Sequence, residues 1–164
     1  MKNFYQKLLI FLTGGIFLTQ ACHADETTDP LLTATHRYID FITELGSNDQ
    51  FDPAIMTAIC SPECKKIFNG RLIAESRDVF FADLLSIKQA HGGWRIQPVE
   101  IITSPKSMTA VFRLIIDIGH NPTSTTIVIL RFNPDYTVKE INEVLNQFEG
   151  DAAIDSFSEL PLLG

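Results

Sequence analysis

Basic residues are scarce in this chain of 164 residues: 13 lysines and arginines stand against 20 aspartates and glutamates, a net charge of −7. They are also scattered, with Lys65-Lys66 the one adjacent pair. An acidic surface without a basic stripe repels phosphate backbones and anionic lipid, which argues against nucleic acid and charged membrane surfaces as partners. Long apolar runs are missing too. The longest, Leu8 to Leu18, has 11 residues, where a membrane span needs about 20. The three cysteines form no CxxC pair, and His36, His91 and His120 stand far apart. Neither a metal-ligand set nor a cofactor fingerprint is present, so no cofactor is expected. Internal repeats and low-complexity tracts are absent as well.

The first 24 residues differ from the rest. MKNFYQK carries two lysines and no acid, an apolar run follows, and TQACHA supplies small residues. That is the layout of a secretory leader. Cleavage after Ala24 predicts an exported, periplasmic or secreted domain. A lipoprotein-type cut after Ala21 would instead leave Cys22 as a lipid anchor, although Leu18 sits one place further back than such signals prefer. Removing residues 1–24 leaves eleven basic residues against twenty acidic ones and a length suited to one domain with a sizeable core. The boundaries read as leader 1–24, domain 25–150 and tail 151–164.

From Asp29 onward the period is helical. Leu31, Ala34, Tyr38, Phe41, Ile42 and Leu45 form one apolar stripe, begun by Asp29-Pro30 and stopped by Gly46. Asp52-Pro53 predicts a second, short helix to about Ile59, and a third spans about Glu75 to Ala90 before Gly92-Gly93. After Gly93 the period becomes two. Trp94–Ile102, Met108–Gly119, Ser124–Phe132 and Val138–Phe148 read as strands of an antiparallel meander, separated by Pro-containing turns. Asn69-Gly70 predicts a tight hairpin with Lys66–Phe68 and Arg71–Ile73 as its arms. The expected architecture is α+β: three N-terminal helices packed on a strongly bent antiparallel sheet, a hairpin plus a four-strand meander.

That order of elements, with HRYIDFITELGSNDQFDPAI, IFNG and TIVILRFNPDYTVKEINEV, resembles the nuclear-transport-factor-2-like superfamily, which includes SnoaL-like proteins. The resemblance implies a cone with a central pocket over roughly residues 30–148. It also implies a choice among isomerases, dehydratases, cyclases and non-catalytic binding domains, because this fold hosts many functions. Steroid isomerases of the superfamily place a tyrosine in the first helix, where Tyr38 stands. The resemblance puts Val128 where their hydrogen-bonding acid belongs and Ile67 or Phe68 near their base. Both acidic groups are therefore missing, and that chemistry is not expected here.

Cys60 and Cys64, in CSPEC, have three readings: a structural disulfide, free thiols, or a metal or redox pair. Pro62 predicts a loop that brings the two within bridging reach, and an oxidising compartment favours the disulfide. The pocket candidates are Tyr38, Trp94, Val128, Leu130 and Phe132. Tyr38 on the apolar stripe reads first as a core residue, and Trp94 first as an anchor of the sheet's edge. Along FRLIIDIG, Arg113 and Asp117 share one face of the strand, while Phe112, Leu114, Ile116 and Ile118 share the other. Three functions follow. The first is a non-catalytic module with an apolar pocket for a small ligand, or with a face for a protein partner such as a second copy. The second is a small-molecule enzyme with Tyr38 and Asp117 as its polar groups. The third, implied by the resemblance alone, is an accessory of secretion machinery.

Overall fold

Two Asp-Pro pairs start the first two helices of the computed structural model, which describes residues 29–48, 51–118 and 124–148. Residues 1–24 expected as a leader, Cys22 among them, and the expected tail 151–164 lie outside these. Helix α1 (Pro30–Ser47) is capped by Asp29, whose Oδ1 accepts from the Leu31 N–H at 3.0 Å. Its other carboxylate oxygen accepts from Thr103 Oγ1 at 2.8 Å, so the cap also ties the helix start to the sheet. Helix α2 (Pro53–Ile59) begins in the same manner on Asp52. Strands β1 (Cys60–Phe68) and β2 (Arg71–Ala74) make the expected hairpin. Asn69 and Gly70 both have positive φ, 47° and 79°, as the tight turn requires. Helix α3 (Arg77–His91) follows and stops at Gly92, φ 75°. Strands β3 (Arg95–Ser104), β4 (Thr109–Asp117), β5 (Ser124–Phe132) and β6 (Val138–Phe148) complete the chain's described part.

All six strands join one curved sheet in the order β2-β1-β6-β5-β4-β3. Strands β3 to β6 are the antiparallel meander expected from the alternation. The sheet as a whole is mixed, however, because β1 runs parallel to β6. Parallel pairing joins strands distant in sequence, and no local pattern marks it.

CSPEC, expected as a loop, belongs to β1. Its register nevertheless carries the irregularity that Pro62 suggested. Between the pairs Cys60↔Val138 and Lys65↔Glu140, β1 uses five steps where β6 uses two. The surplus bulges out of the ladder. A regular strand would hold residues four apart at about 13 Å, whereas the bulge brings the Cys60 and Cys64 thiols into a shared hydrogen bond. Both are fully buried and free.

The inward faces of the sheet and helices share one core, with Tyr38, Phe41, Phe80, Phe112 and Phe132 among its fully buried rings. Its tightest corner lies where α1 meets the start of β3. The Trp94 Nε1–H donates to Ile42 O at 2.8 Å and its backbone N–H to Gly46 O at 3.3 Å. A Cβ on Gly46 would lie 2.5 Å from the Trp94 ring, and one on Gly93 (φ 102°) 2.3 Å from Gly46 O. Lys88 secures the same corner, donating from Nζ to Leu45 O at 2.9 Å and also to Asn48 O.

Gly46→Ala should therefore cost about 1–3 kcal/mol, the usual range for overpacking. Urea unfolding with Trp94 emission as the probe reads the change. An unchanged midpoint would contradict the close approach described here.

Candidate functional site

A cavity of about 550 Å³ lies between the inward side of the sheet and helices α1 and α3. Its wall is mostly apolar, with Ile42, Leu84, Ile87, Trp94, Leu114 and Ile116 among the contributors. The period of two explains the strand residues. Leu114 and Ile116 share one parity of β4, Ile118 continues it just past the strand's end, and the sheet's curvature turns that parity inward.

Among the polar side chains on this wall, Tyr38, Lys66, Asp83 and Glu143 come from four different elements, α1, β1, α3 and β6 respectively. Lys66 Nζ and Glu143 Oε2 form an ion pair at 2.9 Å, with side chains only 8% and 13% exposed. The ammonium also sits 5.0 Å from the centroid of the Phe80 ring, within cation–π range. Register accounts for the pair. Lys66 lies opposite Ile141 and Phe68 opposite Glu143, so the two charges are diagonal neighbours across the parallel seam. The hairpin turn holds Glu143 in place. The Asn69 N–H donates to Glu143 O at 2.9 Å, and the Leu145 N–H donates to Asn69 Oδ1 at 3.0 Å.

Burial raises the Asp83 carboxyl above its ordinary range; Lys66 lowers it and Glu143 raises it further. Burial also pushes the Tyr38 phenol well up, assisted by Glu143 and the two cysteines, so it remains a neutral hydroxyl at ordinary pH. Cys60 is raised chiefly by its hydrogen bond with Cys64 and then by burial, which keeps it a thiol rather than a nucleophilic thiolate. No group of three metal-ligating side chains occurs among the described residues.

Of the pocket candidates read from the sequence, Tyr38 and Trp94 line the cavity. Val128, Leu130 and Phe132 do not. They continue the inward row of β5 into closed core, at most 1% exposed, while Ser124 and Thr126 at the other end of that row reach the cavity. Asp117 is also corrected. It faces away from the cavity and pairs with its cross-strand partner, Arg95, at 2.5 Å. Tyr38 and Asp117 are therefore not brought together. Sequence reasoning missed Lys66, Asp83 and Glu143. The available signal was parity, since Glu143 alternates with Ile141 and Leu145 on the inward side of β6.

No family model and no curated protein sequence matches the chain. Solved structures do. An NTF2-like protein of unknown function from Exiguobacterium sp. 255-15 superposes with TM-score 0.60 at 16% identity, over 70% of this chain and 98% of that one. A protein of unknown function with a cystatin-like fold from Methylobium petroleophilum PM1 gives TM-score 0.60 at 12% identity, over 76% and 80%. A SnoaL-like polyketide cyclase from Agrobacterium tumefaciens str. C58 gives 0.54 at 12%, over 70% and 91%. At such identities the likeness is one of fold, and chemistry must be argued from the side chains.

The raised Asp83 carboxyl has a consequence for stability. An acid whose folded-state pKa is raised holds its proton more tightly folded than unfolded. Its contribution is fully favourable below the unfolded value of about 3.9 and is lost as pH rises through the folded one. Asp83→Asn should then raise the melting temperature at pH 7, with the gain shrinking towards zero near pH 4. A gain that grows on acidification would reverse the assignment.

Proposed function

Given the nuclear-transport-factor-2-like fold, we propose that this chain is a binding domain whose cone holds one small, largely apolar molecule, without turnover. The cavity of about 550 Å³ carries the reading: it is of ligand size, apolar over most of its wall, and its most deeply buried charges, Lys66 and Glu143, are already paired. The catalytic alternative built on Tyr38 and Asp117 lacks its second residue. An enzyme in this cone would have to work through Asp83 and Glu143 instead.

The expected ligand strength follows from burial. An eight-carbon chain at about 0.8 kcal/mol per CH₂ binds no tighter than a Kd of about 20 μM. Trp94 is the single tryptophan and lines the cavity, so its emission reports occupancy. Titration with 2-octanone should give a saturable change, and Ile116→Phe should weaken it about tenfold by filling the space. A linear, unsaturable response in the native chain would remove the reading.

A second face supports a partner of the same kind. On the outward side of the sheet Ile102, Val111 and Ile129 line up across β3, β4 and β5, and Ile102 is 60% exposed. We propose a homodimer through this face. Sedimentation equilibrium should give twice the chain mass for the native protein and the monomer mass for Ile129→Glu. A native monomer at tens of micromolar would exclude it.

The third element of the proposal is compartment. Residues 1–24 act as a cleaved leader, and the touching thiols of Cys60 and Cys64 close into a disulfide outside the cytoplasm. The intact mass of exported protein should correspond to residues 25–164 less two hydrogens. Retention of residues 22–24 with added lipid mass would identify the Cys22 anchor instead.

A further inference from the structure

The charged side chains on the cavity wall cancel in number: Lys66 and the exposed Arg71 stand against Glu143 and the half-buried Asp83. The innermost two are engaged with each other at 2.9 Å and are almost wholly withdrawn from solvent. A ligand bearing a full charge would unbalance this set, or would have to displace one partner of the buried pair. Leaving either partner buried alone is strongly unfavourable. Charged ligands are thus selected against by the arrangement itself.

A purely apolar ligand is not the best fit either. The ion-pair contact uses one of three ammonium protons and one of about four carboxylate lone-pair sites. The remaining capacity adjoins the cavity, because both residues line it. A group that donates to the carboxylate and accepts from the ammonium at once would occupy both without disturbing the pair. Hydrogen bonds to ionised partners are the stronger kind. An ether or ketone can only accept, and so engages half of this surface.

Resting on the reading of the cavity as a binding site, we infer that its ligand is an uncharged apolar alcohol, with the hydroxyl seated on Lys66 and Glu143 and the hydrocarbon body along Ile42, Trp94, Leu114 and Ile116. Tyr38, a buried phenol on the same wall, adds a further neutral polar group beside that seat. The charge balance sets the ligand's neutrality, the ion pair sets its donor–acceptor head, and the apolar wall sets its body.

The test uses the full chain and Trp94 emission with four eight-carbon probes: 1-octanol, 2-octanone, octanoate and octylamine. Octanol should bind about tenfold more tightly than 2-octanone, the difference expected for one added hydrogen bond to a charged group. Octanoate and octylamine should both bind more weakly than octanol at pH 7. Lys66→Met alone strands a buried carboxylate and is prone to misfold, so the informative variant replaces both partners, Lys66→Met with Glu143→Met. It should bind octanol and 2-octanone alike, because an apolar pair is tolerated where an ion pair was. Equal affinities for alcohol and ketone in the native chain overturn the inference while leaving the binding reading intact. Tightest binding of octanoate or octylamine overturns it in favour of a charged ligand. An alcohol preference that survives in the double variant overturns the proposed seat. Failure of all four probes to bind overturns the binding reading itself.

Discussion

The parallel seam between β1 and β6 is the constraint on which the cavity depends. It joins the hairpin, which follows two helices, to the last strand of the meander, more than seventy residues later. Without it the sheet would end at β6, and neither Lys66 nor Asn69 would meet Glu143. With it, the hairpin extends the curved sheet, and α3 packs mainly against that added end. The seam is short and irregular, so the side chains along it carry much of its definition. Lys66 reaches Glu143 on the inside, while Asn69 bonds the backbone at Glu143 and Leu145.

An ion pair withdrawn from water rarely repays its desolvation in full, and a hydrophobic pair of similar size often serves the fold as well. Asp83, half-buried near the same pair, adds to that cost whenever it is ionised. The rest of the core is conventional, with aromatic rings and branched aliphatics closed over by α1. Among the described residues, the buried ion pair and Asp83 stand together on a wall that encloses empty space. A fold selected for stability alone would have no use for that combination.

Much of the architecture was legible because its signals are local. Asp29-Pro30 and Asp52-Pro53 start helices through their own side chains and fixed φ. Asn69-Gly70 makes its turn because those residues tolerate positive φ. The period of two sorted Leu114 and Ile116 from Arg113 and Asp117, and the sheet keeps that sorting. Parity gives the side of a strand but not the position along it. Val128, Leu130 and Phe132 were correctly inward and still lie in closed core, because the open space begins only at the Ser124 and Thr126 end of β5. CSPEC shows the same limit. Pro62 marked an irregularity, yet whether it formed a loop or a bulged strand depended on whether β6 was present to pair with it.

By itself, then, the sequence determined the three helices, the hairpin turn, the alternating strands and the acidic character of the surface, since each depends on residues within a few positions of one another. It also determined that Cys60 and Cys64 would stand next to an irregularity. The tertiary structure alone decided that β1 runs beside β6, that the two thiols touch, and that Lys66, Asp83 and Glu143 share one wall with Tyr38. It also decided that Asp117 belongs to the other face, paired with Arg95. Those outcomes rest on contacts between residues far apart in the chain, whose energies exist only once the sheet has curved and the helices have closed over it.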